Sequence, residues 1–135
     1  MKVLLVFNPR AAHRRAGKFL PEIRKTFQRY DIRFDLHSTE YPGHAMRIVE
    51  QAVIGEYDGI VAAGGDGTLF EVVNGCYRNP SERRIPLGVL PTGTGNAFAR
   101  DLALKTGQIE QAVEIIHRYH PRPVDVGRLD RKSGV

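Results

Sequence analysis

The chain has 135 residues, of which 41% are hydrophobic and 26% charged, with a net charge of +5. That suits one compact domain with a real core; it excludes two full domains, a disordered or low-complexity chain, and a membrane span, since no apolar run approaches about 18 residues. The opening apolar run is too short for a secretory leader, and the single cysteine, Cys76, cannot close an internal disulfide, so a reducing cytoplasm is the expected setting.

Lys2–Phe7 is a short apolar run ending at Asn8-Pro9 and is predicted as a buried strand followed by a turn. Ala16–Tyr30 places Phe19, Leu20, Ile23 and Phe27 at helical spacing. Ile32–His37 alternates Ile32, Phe34 and Leu36 with Arg33, Asp35 and His37, the pattern of a strand with one buried face. After the break at Tyr41-Pro42-Gly43, Ala45–Ile54 has a helical face. Gly59–Ala63 is a third strand, Leu69–Cys76 a helix, Ile85–Leu90 a fourth strand, Ala97–Leu102 a short helix and Ile109–Tyr119 a longer one. Thr106–Gln108 marks a minor break between these last two. Pro123–Leu129 has a strand pattern, and Asp130-Arg131-Lys132-Ser133-Gly134 reads as a hairpin turn with only Val135 after it. The chain is therefore expected to be a fragment of something longer. Strands alternating with helices predict βαβ units, hence a three-layer α/β/α domain with a mainly parallel sheet.

Four segments that could carry chemistry fall directly after strands, the edge where such sheets bind ligands. Gly64-Gly65-Asp66-Gly67-Thr68-Leu69-Phe70-Glu71 puts three glycines in four residues ahead of a helix. Glycines admit a close ligand, and successive N–H groups before a helix make an anion site, so a nucleotide phosphate would fit. Asp66 would repel phosphate and so would act through Mg²⁺, water or a hydroxyl. A purely local reading also exists, because Thr68 and Glu71 match a T-x-x-E capping box. Pro91-Thr92-Gly93-Thr94-Gly95-Asn96 alternates backbone donors with hydroxyls; Asn96 can cap the next helix, which leaves Thr94 as the better ligand candidate. Asn8-Pro9 can meet a nucleotide or close an Asx-turn, and Ser38-Thr39-Glu40 offers a hydroxyl. The five histidines have no ligand spacing, no residue is singled out as a metal ligand, and His44, after Gly43, reads first as a surface side chain. The basic clusters, His13-Arg14-Arg15 with Lys18 and Arg78 with Arg83 and Arg84, lack interleaved aromatics, so nucleic acid is not an expected partner. There is no P-loop, no G-x-G-x-x-G fingerprint and no G-x-S-x-G elbow.

Gly64-Gly65-Asp66-Gly67-Thr68 followed by Glu71-Val72-Val73-Asn74-Gly75 resembles the central motif of the diacylglycerol kinase catalytic domain family. Pro86 through Arg100, with Gly93-Thr94-Gly95-Asn96-Ala97-Phe98-Ala99-Arg100 at its end, resembles the second motif. Asn8-Pro9 resembles the opening motif, and Val124-Asp125-Val126-Gly127 the strand that enters the family's second domain. The resemblance implies an NAD kinase/diacylglycerol kinase-like fold, with residues 1–122 as an ATP-binding domain and 123–135 as the truncated start of a β-rich second one. It implies a soluble, cytoplasmic lipid kinase that uses ATP and Mg²⁺ on a diacylglycerol-like or sphingoid-like hydroxyl. A peripheral membrane contact and a homo-oligomer are compatible with it. It implies ATP contacts by Asn8, Pro9, Thr39, Gly65 through Glu71, Gly93, Thr94 and Asn96, a loop shaped by Gly64, and Asp66 as the catalytic aspartate. The general base would lie in the second domain, so the chain alone is expected to be inactive. Ala11-Ala12 replace the family's usual Ser-Gly, and Ala97 replaces an Asp common in bacterial members. An NAD kinase-like enzyme and a non-catalytic nucleotide-binding module stand as alternatives.

Overall fold

A computed structural model of the chain describes residues 1–119 and Pro121; the strand expected at Pro123–Leu129, the turn after it and His120 lie outside the described residues. Four strands, β1 (Lys2–Phe7), β2 (Arg33–Ser38), β3 (Gly59–Gly64) and β4 (Leu87–Pro91), form one sheet in the order β2-β1-β3-β4, and every pairing is parallel. The helical segments are α1 (Ala11–Arg14), α2 (Leu20–Arg29), α3 (His44–Glu50), α4 (Asp66–Arg78), α5 (Ala97–Asp101) and α6 (Ile109–Arg118).

The central strands are covered on both faces, which is why β1 and β3 read as unbroken apolar runs. Val3, Leu5 and Phe7 of β1 and Val61 and Ala63 of β3 share a cluster with Ile23 and Phe27 of α2 and Ile109, Ala112 and Val113 of α6. The alternate residues Leu4, Val6, Ile60 and Ala62 share a second cluster with Ala45 and Val49 of α3 and Val72 of α4. The expected three-layer α/β/α arrangement is thus present. Gly75 lets α4 lie directly on α3, since a Cβ there would stand 2.6 Å from the Met46 carbonyl oxygen.

Some boundaries differ from the sequence pattern for local reasons. The helix expected over Ala16–Tyr30 is two pieces, a 3₁₀ turn at Ala16–Phe19 and α2, with Pro21 in the first turn of α2 where its missing N–H costs nothing. No element was expected at α1; Ala12, His13 and Arg14 there have φ of 53°, 56° and 69°, a left-handed turn unusual without glycine. The helix expected to begin at Leu69 begins at Asp66.

Near the start of the sheet Tyr57 donates its hydroxyl to Asp35 Oδ2 at 2.7 Å, and Lys2 Nζ lies 3.5 Å from the same oxygen. Burial, followed by the Asp35 hydrogen bond, pushes the Tyr57 phenol up to about 12. A phenol raised in the folded state favours folding until it ionises. Stability is therefore expected to fall between about pH 10, the unfolded phenol value, and about pH 12. Tyr57→Phe should flatten that slope in denaturant titrations run across this range.

Candidate functional site

The chain leaves β1 and moves outward to β2, then returns to β3 on the other side of β1 and continues to β4. The switch point lies between β1 and β3, and a crevice for ligands is expected just beyond their carboxyl ends. Asn8 follows β1 and Gly65 follows β3, so the first and strongest of the sequence motifs meet there.

Asn8 closes the Asx-turn that its sequence offered and makes one further bond. Its Oδ1 accepts the Arg10 N–H at 3.0 Å, closing an Asx-turn, while its Nδ2 donates to Thr68 Oγ1 at 3.2 Å. The second bond ties the β1 loop to α4. It also corrects the capping-box reading: α4 begins three residues before Leu69, its N-cap is Gly65 without a side-chain cap, and Thr68 lies buried inside the first turn.

Asp66 decides how the two glycine-rich loops fit together. Its Oδ2 accepts the Ala97 N–H at 3.1 Å and its Oδ1 the Phe98 N–H at 3.4 Å, while its own N–H donates to the Gly95 carbonyl at 2.8 Å. One residue thus caps a helix belonging to the other loop. The local cap expected from Asn96 is absent. Asn96 stands at the N-cap position of α5, but its side-chain amide is buried and donates to the Gly93 carbonyl and to Thr106 Oγ1. The glycines make this docking possible: a Cβ on Gly93 would sit 2.5 Å from both Cα and N of Gly65.

The remaining positions divide by exposure. Gly67 has nothing within 4 Å of where a Cβ would stand, and Thr94 and Phe70 are exposed. Leu69 is half-buried and packs on the core, and Glu71 is half-buried one turn further along α4. The N–H groups of Gly67 and Thr68 have no protein partner among the described residues, and they are the orphan donors of a 13-residue helix. Thr39 donates its N–H to the Phe7 carbonyl at 2.8 Å, which sets it beside Asn8. Pro9 follows Asn8 within the Asx-turn. Gly64 has Thr68 packed directly against its α-carbon. His44, expected as a plain surface residue, accepts the Glu40 N–H on Nδ1 at 2.9 Å and stacks on Tyr41.

One residue escaped the sequence reading, and another was read only as part of its motif. Thr106, in the segment taken as a minor break, donates its hydroxyl to Gly93 at 3.1 Å and braces the second loop from outside. Thr92 is fully buried, and its hydroxyl has no hydrogen-bond partner among the described residues. A hydroxyl buried alone is a net cost, so Thr92→Val, nearly the same shape, is expected to be neutral or to stabilise by up to about 1–2 kcal/mol. Urea unfolding of the two proteins checks this.

An apolar cavity lies elsewhere. About 460 Å³ opens between β4 and α6, lined by Val61, Leu87, Val89, Ala112 and Ile116 among others, whereas the space between the docked glycine loops is only about 10 Å³. The candidate motifs thus lie along an open sheet edge rather than in a deep pocket.

A family model for the diacylglycerol kinase catalytic domain matches residues 2–129. This chain belongs to that family. It is 35% identical over 126 residues to the diacylglycerol kinase of Bacillus subtilis (strain 168), a match covering 93% of this chain and 41% of that protein. It is 36% identical over 136 residues to sphingosine kinase 2 of Arabidopsis thaliana, covering 95% of this chain and 28% of that one. A solved structure of a diacylglycerol kinase from Bacillus anthracis str. Sterne superposes with a TM-score of 0.68 at 33% identity, over 91% of this chain and 44% of that chain. The chain therefore spans less than half the length of these relatives. Within the diacylglycerol kinase catalytic domain, the match takes in β1, the whole of α4 with its glycine-rich approach, and the second loop with α5, the elements that the bonds of Asn8 and Asp66 join.

Proposed function

We propose that this domain binds ATP along the carboxyl edge of its sheet, for transfer of the γ-phosphoryl group to a lipid hydroxyl in the larger enzyme. The supporting observation is the convergence of three loops, from β1, β3 and β4, held together by Asn8 and Asp66 around the open start of α4. The free N–H groups of Gly67 and Thr68, with the partial positive charge of a helix start, suit a phosphate. Gly67 leaves the space that a bulkier residue would fill. Thr39, Asn8 and exposed Thr94 complete the polar edge. Residues 1–122 are assigned to this nucleotide-binding domain and 123–135 to the start of a second one.

Phosphoryl transfer is mostly positioning and charge stabilisation, and this domain supplies positioning. Among the described residues no three His, Cys, Asp or Glu side chains come together around a metal. Both Asp66 oxygens are already engaged by backbone N–H groups. The described side chains thus offer no ready-made Mg²⁺ cage, and a Mg²⁺ ion arriving with the nucleotide would be held largely by water and the phosphates. The proton acceptor for the lipid hydroxyl is assigned to the second domain, and the 135-residue chain alone is expected to phosphorylate no lipid. The acceptor class, diacylglycerol-like or sphingoid-like, follows the named activities of the relatives. The basic balance of the chain suits brief contact with an anionic membrane. No helix among the described residues is long and apolar enough to cross one.

Calorimetric titration of the chain with Mg-ATP, with NAD as comparison, tests the reading. Saturable ATP binding supports it. Tighter binding of NAD turns it toward the NAD kinase-like alternative, and binding of neither overturns it.

A further inference from the structure

We infer that the cavity beside Cys76, at the far end of α4, binds a single-chain phosphate monoester, its alkyl chain inserted and its head held by Arg83 and Arg84. The site lies apart from the nucleotide edge and does not depend on it. It gives a use to a basic cluster that the nucleotide reading leaves idle. A space of about 140 Å³ opens there, with Ile54, Val73, Cys76 and Ile85 as an apolar wall. Three of these, Ile54, Cys76 and Ile85, belong to the second apolar cluster. The same space is bordered by Tyr77, Arg83 and Arg84, all exposed. Among the described residues neither guanidinium forms an ion pair, and exposed Glu82 pairs with neither.

The loop that presents the two arginines is fixed link by link. Asn79 is buried, and its Nδ2 donates to the carbonyls of Val49, Glu50 and Ala52 around the end of α3, at 2.9, 3.1 and 2.9 Å. Its Oδ1 accepts the Ser81 N–H at 2.9 Å, and Ser81 Oγ accepts the Arg83 N–H at 3.2 Å. Arg84 donates from Nη1 to the Ser81 carbonyl at 3.2 Å and lies over the Tyr77 ring, 5.7 Å from its centroid. Its charge reaches the cavity wall: burial holds the Cys76 thiol above its ordinary value, and Arg84 pulls the other way. Arginines held in place and lacking a carboxylate partner give up little entropy on meeting an anion. Two guanidinium groups match the double charge of a phosphate monoester, and their forked N–H groups fit its oxygens. The cavity itself is far smaller than the roughly 300 Å³ of an ordinary small-molecule pocket, so it takes a length of alkyl chain and no ring system. An α-helix rises about 1.5 Å per residue, so the 13 residues of α4 set this site roughly 20 Å from the phosphate site proposed at the helix start. Both can be filled at once.

The test is calorimetric titration of the full 135-residue chain with octyl phosphate below its micelle concentration, beside ethyl phosphate and octanol. Cys76 is the chain's one cysteine, so its rate of labelling by a maleimide reports whether the cavity is filled. Octyl phosphate should bind once per chain and slow that labelling. It should bind at least about ten-fold more tightly than ethyl phosphate, since each buried methylene is worth about four-fold. Arg84→Gln should weaken it about ten-fold, the weight of a charge-assisted hydrogen bond, and Arg83→Gln serves if that variant fails to fold. Saturating Mg-ATP should leave its affinity unchanged. Equal affinity for ethyl and octyl phosphate overturns the inserted chain, and octanol binding as tightly as octyl phosphate overturns the role of the arginines. Binding that leaves Cys76 labelling unchanged, or that Mg-ATP displaces, puts the ligand elsewhere and overturns the site. No binding of octyl phosphate overturns it outright, whatever the chain does with ATP.

Discussion

Gly93→Ala and Gly67→Ala are expected to change stability in opposite directions. The added methyl at Gly93 would stand 2.5 Å from the backbone of Gly65 and 3.0 Å from the carbonyl carbon of Gly64. These are main-chain atoms, so no rotamer change makes room, and the two loops must part. Parting them stretches the bond from the Asp66 N–H to the Gly95 carbonyl and both bonds from Asp66 to the start of α5. Overpacking costs about 1–3 kcal/mol, and the loss of these bonds places this variant at the upper end, a drop of roughly 10 °C in melting temperature. Gly67 is different. It sits in α4 without a left-handed φ and with open space around it, so alanine fits and gains up to about 1 kcal/mol of helix propensity. The same methyl occupies the approach to the free N–H groups, and affinity for Mg-ATP should fall at least about ten-fold, the weight of one strong anion contact. Thermal melts and calorimetry on the two variants decide the matter. A Gly93→Ala protein with an unchanged melting temperature would deny the loop contact. A Gly67→Ala protein that binds ATP normally would move the phosphates elsewhere.

Asp66→Asn should separate the architectural duty of this carboxylate from any chemical one. Asparagine keeps one acceptor oxygen and turns an NH₂ toward a backbone N–H, donor against donor. Losing half of a cap costs about 1 kcal/mol, so the protein should fold with a modestly lower melting temperature. The larger effect is expected on function. In a chain of the relatives' full length, loosening α5 and the second loop relative to α4 should cost phosphoryl transfer about 100-fold or more, because misplacement of about 1 Å already costs that much. Transfer to a short-chain diacylglycerol with radiolabelled ATP is the assay. A variant with the lowered melting temperature but full turnover would show that Asp66 is a cap and nothing more.

Much of the site was legible because it is local in the chain. Glycines ahead of a helix, and polar residues directly after apolar runs, have few physical uses, and the alternation of strand and helix put them on one edge of a sheet. The misread caps share one cause. Thr68 and Glu71 matched a capping box and Asn96 matched an N-cap, since both patterns are written in neighbouring residues. In the folded chain Thr68 instead accepts from Asn8, 60 residues earlier, and the cap on α5 comes from Asp66, 31 residues before Ala97. Thr106 was passed over for the same reason, as its partner Gly93 is 13 residues away.

The amino-acid sequence by itself determined the class of fold, the edge on which chemistry gathers and the residues available for it, because burial periodicity and glycine conformation act over a few residues. Only the tertiary structure decided the strand order β2-β1-β3-β4, and so which loops flank the switch point. It alone decided which glycines serve packing, as Gly93 does, and which leave room, as Gly67 does. It also brought Tyr41 and His44 face to face beyond the end of β2. Hydrogen bonds and steric contacts between distant segments depend on where the packed sheet sets its loops, and no short stretch of sequence carries that information.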